Sequence, residues 1–535
     1  MQMLLSSKNI IGKEQLMNTQ NAVAKDWRET MQAWLHPRVL TMLFFGFSAG
    51  LPLMLIFSTL SLWLGEAGVD RSTVTYFSWA ALAYSFKFVW APLIDTLPLP
   101  FLTQRFGRRR SWLLLAQTAV IAAICCMALT NPAAGGHSLT LMALAAVLLG
   151  FSSATQDIVI DAYRIECAAQ ELQALLSSAY IAGYRIGMLA AGAGALYLAA
   201  WFGTSKVAYN YTAWQGSYLA IAAMMLIGVA TTLLIPEPAV NKDRSHYPAS
   251  YYLRFLLLFL CMAGVFVTVF FLSSGIVTMF NGLFKGFFGT ALGNTTPFVS
   301  FLGEASRFAL AVCSALAAAF LLMRWNLADG SMISQTYINP IADFFNRYGL
   351  STSLLLLSLI GVYRISDILL GVIANVFYQD IGFSKEVIAS IIKTFGLFMT
   401  LLGGFLGGTL TVRYGVMRIL FLGALLSSLT NLLFLLLAQV GANVPLLAAV
   451  IAADNLSAGI ASAAFVAFLA GLTNISFTAM QYAIFSSLMT LLPKLLGGYS
   501  GTMVTTWGYE RFFLATALLG LPVLGLIWLA GRRLR

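Results

Sequence analysis

Long apolar runs separated by short polar stretches dominate the chain. Fourteen of them are long enough to cross a hydrocarbon core about 30 Å thick. They fall near 39–63, 73–96, 111–130, 138–161, 173–200, 214–235, 251–274, 301–323, 352–378, 386–411, 416–440, 444–471, 475–502 and 508–531. None shows the roughly ten-residue alternation of a barrel strand. The pattern predicts an all-α polytopic membrane protein of fourteen spans. The first 38 residues are polar and the first apolar run is already of spanning length, so no cleavable signal peptide is expected.

Composition agrees. Of 535 residues 59% are hydrophobic and only 10% charged, with a mean hydropathy of +0.84; a soluble fold has nowhere to bury that much apolar surface. The net charge of +11 invites a nucleic-acid reading, but its placement argues against one. The Lys and Arg residues gather in alternate loops. Twenty fall on one side, among them those of the N-terminal tail, the cluster Arg105, Arg108, Arg109 and Arg110, the stretch 236–254 and the C-terminal tail. Five, Arg71, Lys206, Lys285, Lys385 and Arg511, fall on the other. That asymmetry predicts both termini in the cytoplasm. The five cysteines have no ligand spacing and read as small packing residues.

A repeat divides the chain. RFGRRR (105–110) and RYGVMR (413–418) both fit Arg-aromatic-Gly-x-x-Arg, 308 residues apart, each after the second span of its half. The expected organisation is a tail (1–38), a six-helix bundle (39–235), a linker carrying two inserted spans (236–351) and a second six-helix bundle (352–535). Two parallel halves of this kind make the major-facilitator arrangement, with substrate held between them near the midplane.

Several spans carry ionisable residues that hydrocarbon does not tolerate without a partner or a wet cavity. The first half places Lys87, Asp157 and Arg185 at membrane depth, and the second places Arg364, Asp367, Lys393 and Asp454. Asp157 and Asp161 are four residues apart, on one helical face. Mixed acids and bases on so many helices predict a chamber that passes something polar. Arg185 and Arg364 suit the carboxylates of a large amphoteric ligand, and Tyr84, Trp90, Tyr163, Tyr184 and Tyr482 suit rings. Gln156, Asn455 and Gln481 supply neutral hydrogen bonds. Asp157, then Asp367 and Asp454, are the candidates for proton coupling; the alternative for each is a structural ion pair that fixes helix register, the favoured reading for Asp161. Four GxxxG pairs, Gly46/Gly50, Gly183/Gly187, Gly403/Gly407 and Gly404/Gly408, predict close helix contacts, which either permit rocking between packed bundles or serve packing alone.

PLID (92–95) followed by RFGRRR resembles the loop signature of the major facilitator superfamily. The resemblance implies that Asp95 and Arg105–Arg110 lock one conformation, with Arg413 and Arg418 at the repeated loop. FGFSAGLPL (45–53), AYSFKFVWAPLID (83–95), GRRRSWLL (107–114), SATQDIVIDAY (153–163) and GYRIGML (183–189) together resemble the AmpG family of muropeptide permeases. KTFGL (393–397), DNLSAGIASAAFVAFL (454–469) and FTAMQYA (477–483) resemble it more weakly. That resemblance implies proton-driven import of GlcNAc-1,6-anhydroMurNAc and its peptides from periplasm to cytoplasm, in cell-wall recycling and in some bacteria β-lactamase induction, by a monomer in the inner membrane without cofactor or metal. The inserted spans depart from the family, whose extra pair often follows the twelfth span. The intervening loop 275–298 is expected to be interfacial or re-entrant.

The residues also leave open a carrier of another cargo, such as acetyl-CoA, a sugar or a peptide. An integral-membrane transferase is disfavoured, because His36, His137 and His246 lie in tails or loops and none adjoins a paired acid. No phosphate-binding glycine loop is present, so ATP-driven pumping is not expected.

Overall fold

The computed structural model describes residues 27–69, 74, 77, 80, 82–205, 208–239, 248–275, 279, 282, 296–325, 330–384, 387–497 and 500–534. Most of the 275–298 loop, and Arg71, Lys206, Lys285 and Lys385, lie outside them. The chain forms two compact units, residues 1–241 with 342–535, and residues 242–341.

The larger unit opens with α1 (Trp27–Gln32), α2 (Pro37–Ile56) and α3 (Ser58–Glu66). Next come α4 (Leu82–Phe86), α5 (Ala91–Thr96), α6 (Arg108–Ala128) and α7 (Gly136–Cys167). The first half closes with α8 (Gln173–Leu189), α9 (Ala195–Trp201), α10 (Tyr211–Met224) and α11 (Leu226–Leu234). The smaller unit is built on α12 (Ala249–Leu272) and α13 (Thr296–Arg324). Beyond α14 (Asn339–Tyr348), the second half has α15 (Leu350–Val362), α16 (Ile365–Asp380), α17 (Gly396–Tyr414), α18 (Val416–Val440) and α19 (Val444–Leu472). It ends with α20 (Thr478–Gly497), α21 (Ser500–Leu518) and α22 (Gly520–Arg533).

Among the described residues twelve helices are long and apolar enough to cross a membrane. They include both inserted spans and all but two of the fourteen expected. The exceptions have local causes. Within 73–96 the described helix is broken into α4 and α5 by a 3₁₀ turn at Lys87–Val89, followed by Pro92; proline fits the first turn of a helix but not its interior. Within 475–502 the apolar helical stretch is the shorter Ile475–Leu491, and Pro493 lies inside α20.

The repeated loops share a backbone as well as a sequence. Gly107 (φ 82°, ψ 174°) precedes α6, and Gly415 (φ 86°, ψ 153°) precedes α18. This region is essentially reserved for glycine, so the Gly of Arg-aromatic-Gly-x-x-Arg is a steric requirement at each copy.

Each half packs its own core. Trp63, stacked on Trp214 at 5.7 Å, and Tyr218 centre the first. In the second, Tyr363 stacks on Phe465 at 4.2 Å, and Phe377, Phe434 and Phe513 cluster further along. Glycines let helices touch backbone to backbone. A Cβ on Gly46 would come within 2.1 Å of the Tyr180 carbonyl oxygen, and one on Gly183 within 1.9 Å of the Leu43 oxygen, so α2 and α8 form one tight pair. Gly403 and Gly459 seal α17 against α19 in the same way. In the smaller unit, Arg307 is buried, donates to the Phe270 carbonyl at 2.6 Å and lies 4.3 Å from that ring.

The segment Trp27–Leu35 leads into the first half yet touches the second. Trp34 Nε1 donates to Thr409 Oγ1 at 3.1 Å and its ring stacks on Phe405 at 4.8 Å, while the Arg413 guanidinium lies 4.4 Å from the Trp27 ring.

Candidate functional site

Three of the four basic residues at membrane depth sit in irregular backbone, and the fourth, Arg185, stands a turn before one. Lys87 starts the 3₁₀ turn between α4 and α5. Arg364 sits at the break between α15 and α16, with φ −99° and ψ 12°. Lys393 lies in a π-helical stretch, Ile388–Phe395, and Arg185 is followed by a π-turn at Ala190–Gly194. Interrupted helices leave backbone groups without their usual partners, tolerable at this depth only against protein or water. π-turns of this sort concentrate at functional positions.

Arg185, from the first half, and Arg364, from the second, lie within electrostatic range of each other. Among the described residues Arg185 has no hydrogen-bond or ion-pair partner, and it is solvent-accessible. Arg364 meets Asp367 only loosely, Nε to Oδ2 at 3.9 Å. From there the charged series continues in both directions. Asp367 is in range of Asp454, and Tyr184 of Asp157, which in turn feels Lys87. Lys87, Asp157, Arg185, Arg364, Asp367 and Asp454 thus lie in one series of neighbouring charges within the larger unit.

Within this chain the acids are held unequally. Asp157 accepts a hydrogen bond from Tyr180 Oη at 3.1 Å, and Asp454 one from Thr430 Oγ1 at 3.4 Å. Neither has a cation within ion-pair distance among the described residues. Lys87 instead pairs with Asp161 at 3.5 Å. Asp161 also takes Arg164 at 3.2 Å, and Arg164 lies 5.1 Å from the Tyr482 ring of the other half. Asp161 therefore holds two cations, Lys87 and Arg164, and Tyr482 packs on Arg164.

The other expected ligand groups divide. Tyr184 adjoins Asp157 and Arg185. Asn455 accepts from Thr400 at 2.8 Å, and Lys393 is exposed. Tyr84 donates to Ser153 at 2.6 Å and stays in range of Tyr184 and Asp157, whereas Trp90 donates to Thr155 at 3.1 Å and buried Gln156 to Ser48 at 3.2 Å. Tyr163 donates to the Pro236 carbonyl at 3.3 Å. Gln481 belongs to a different network, joining Asp343 and Arg347 at 3.0 and 3.1 Å.

That network lies within the second half; the contacts between the halves at the end carrying the repeated basic loops centre on Arg109. Arg109, 1% exposed, grips Glu166 with two nitrogens at 2.6 and 2.9 Å and Asp95 at 2.7 Å. The second half enters through Thr478, which donates to Glu166, and through the Met480 amide, which donates to Asp95 at 3.1 Å. Buried, bidentate pairs of this kind are the strong ones. Arg108 donates to the Asp95 carbonyl and Arg110 to the carbonyls of Thr232 and Leu233. Arg105 is exposed beside Phe106. Glu237 accepts the Arg109 and Arg110 amides at 2.7 and 3.1 Å, capping α6; burial pushes its carboxyl above the usual range, although those amides pull the other way.

The second copy of the motif has different neighbours. Arg413 lies over Trp27, and Arg418 is exposed. Glu166, Arg164, Thr478, Asp343 and Arg347 were not singled out from sequence. Glu166 and Arg164 follow Asp161 on the same helix, a signal available in the SATQDIVIDAYRIE run. Thr478 lies in the FTAMQYA run, which does not distinguish it from its neighbours.

The Major Facilitator Superfamily model matches residues 39–336. A putative transporter AmpG 4 of Rickettsia felis is 32% identical over 489 residues, covering 91% of this chain and 95% of its own length. The anhydromuropeptide permease of Escherichia coli K12 is 29% identical over 501 residues, 93% of this chain and 80% of its own. Among solved structures, a double-Trp mutant of XylE superposes with a TM-score of 0.58 at 13% identity, covering 92% of this chain and 94% of that one. FucP in the outward conformation does so at 0.56 and 11% identity, over 93% and 99%.

Proposed function

We propose that this chain, which belongs to the Major Facilitator Superfamily and within it to the AmpG family, imports anhydro-muropeptides across the bacterial inner membrane in exchange for dissipating a proton gradient. In this reading it is a monomeric alternating-access carrier with fourteen spans and both termini in the cytoplasm. It takes GlcNAc-1,6-anhydroMurNAc and its peptides from the periplasm and contributes to cell-wall recycling and β-lactamase induction.

The observation that supports this most is the facing pair Arg185 and Arg364. Arg185 pairs with no acid among the described residues and Arg364 only with Asp367, at 3.9 Å, so the two guanidiniums suit an anionic guest such as a stem-peptide carboxylate. Tyr184 beside Arg185 offers an aromatic edge for a sugar ring. Protons have a place as well. Asp157 and Asp454 are bonded to hydroxyls rather than cations, so a proton can be exchanged on either without breaking an ion pair.

Uptake of labelled anhydro-muropeptide into proteoliposomes under an imposed pH difference tests the reading. A charge-assisted hydrogen bond is worth about 2 kcal/mol, so Arg185→Gln and Arg364→Gln should each weaken uptake on the order of tenfold or more. Parent-level uptake by both, or equal competition by acetyl-CoA, would overturn the assignment. Asp157→Asn should retain downhill exchange of substrate while losing the response to pH; an unchanged response would remove Asp157 from the coupling step.

A further inference from the structure

We propose that the groove between α18 and α22, at the end of the second half that carries its repeated basic loop, binds the phosphate headgroup of an anionic phospholipid. The groove encloses about 480 Å³, and Arg418, Arg532, Phe421, Ile527 and Trp528 line it. Arg418 is the third residue of α18, and Arg532 is the last but one of α22. Both guanidiniums therefore stand where the two membrane helices emerge from the apolar layer. Both are exposed, and among the described residues neither has an acid within ion-pair distance. Arg532 rests 3.7 Å from the Trp528 ring, which fixes its direction and leaves its donors free for a guest.

The wall below the arginines is the reason to choose a lipid over a soluble phosphate. Phe421 lies one turn deeper than Arg418, and Trp528 one turn deeper than Arg532, on the same helical faces. Both remain open, at 38% and 51% exposure. Gly531 keeps the floor between them low, since a Cβ there would meet only the Met417 methyl, at 3.7 Å. Two cations at the rim over an apolar, aromatic wall match a headgroup above its acyl chains. The proposal is independent of the cargo assignment.

Native mass spectrometry of the full chain in detergent, titrated with phosphatidylglycerol or phosphatidylcholine, provides the test. The parent should retain phosphatidylglycerol preferentially. Arg418→Gln/Arg532→Gln should bind it with affinity lower on the order of tenfold, whereas the charge-matched Arg254→Gln/Arg324→Gln should bind as the parent does. Should the double variant fail to fold, Arg532→Gln alone gives the same reading with a several-fold fall. Equal retention of the two lipids by the parent, or equal losses in the two double variants, would overturn the proposal. Displacement of the lipid by millimolar inorganic phosphate would also overturn it, reassigning the groove to the free anion.

Discussion

Among single residues, Gly107 carries the most specific constraint. Its φ of +82° excludes a side chain on conformational grounds, and a Cβ would come within 2.5 Å of Glu237. Gly107→Ala should cost about 1–3 kcal/mol, read as a lower Tm in detergent. Gly65→Ala, inside α3 with open space around it, should instead be neutral or stabilising by up to about 1 kcal/mol. Glu237 supplies a pH test. Burial makes its carboxyl bind a proton more tightly in the folded protein than in the unfolded chain. Its contribution is then full below the unfolded value and declines as pH rises through the folded one. Glu237→Gln keeps an acceptor for the capped amides without the charge, so its Tm relative to the parent should improve from pH 4 towards pH 7. A relative Tm that worsened over that range would reverse the sign. The glycine was legible as part of a repeated motif. The carboxylate was not, because nothing in IPEP (235–238) says which helix start it will reach.

At the scale of elements, most of the glycine pairs join helices of the same half. Gly46 and Gly183 lock α2 to α8 within one half, and Gly403 locks α17 to α19 within the other. Gly408 alone of the GxxxG glycines faces across the halves, towards Ser178. Gly46→Ala should therefore cost folded yield outright, since the obstacle is a backbone carbonyl. Gly408→Ala meets a hydroxyl that can rotate, and should express normally. Equal yields of the two by fluorescence-detected size exclusion would contradict this division. Spacing reveals that helices approach closely; only coordinates reveal which helices. The helix interruptions were hidden for a related reason. Apolar content shows length, whereas the break at Arg364 depends on what the second half packs around it. Lys87, Arg364 and Lys393 were identifiable as anomalies from sequence, but their irregular backbones were not.

For the whole molecule, two halves meet at the basic end through Arg109, Glu166, Asp95, Thr478 and Met480. Breaking a buried pair by removing one partner costs about 3–5 kcal/mol. Glu166→Gln should favour states in which this end is parted, seen as faster hydrogen exchange over residues 478–482 with little change around Trp63 and Trp214. Equal exchange in variant and parent would mean that the contact carries no conformational weight. The twofold plan and the polar interior could be inferred from charge placement and one repeated loop. The unequal use of its copies could not, because Arg413 and Arg418 look like Arg105 and Arg110 until their neighbours are known. The segment Trp27–Leu35 adds a mechanical constraint. It continues into the first membrane helix of one half while its two indoles hold a helix of the other. Any hinge that opens this end must first peel Trp34 off Phe405, so the leading segment behaves as a tether whose grip sets how readily the doorway yields.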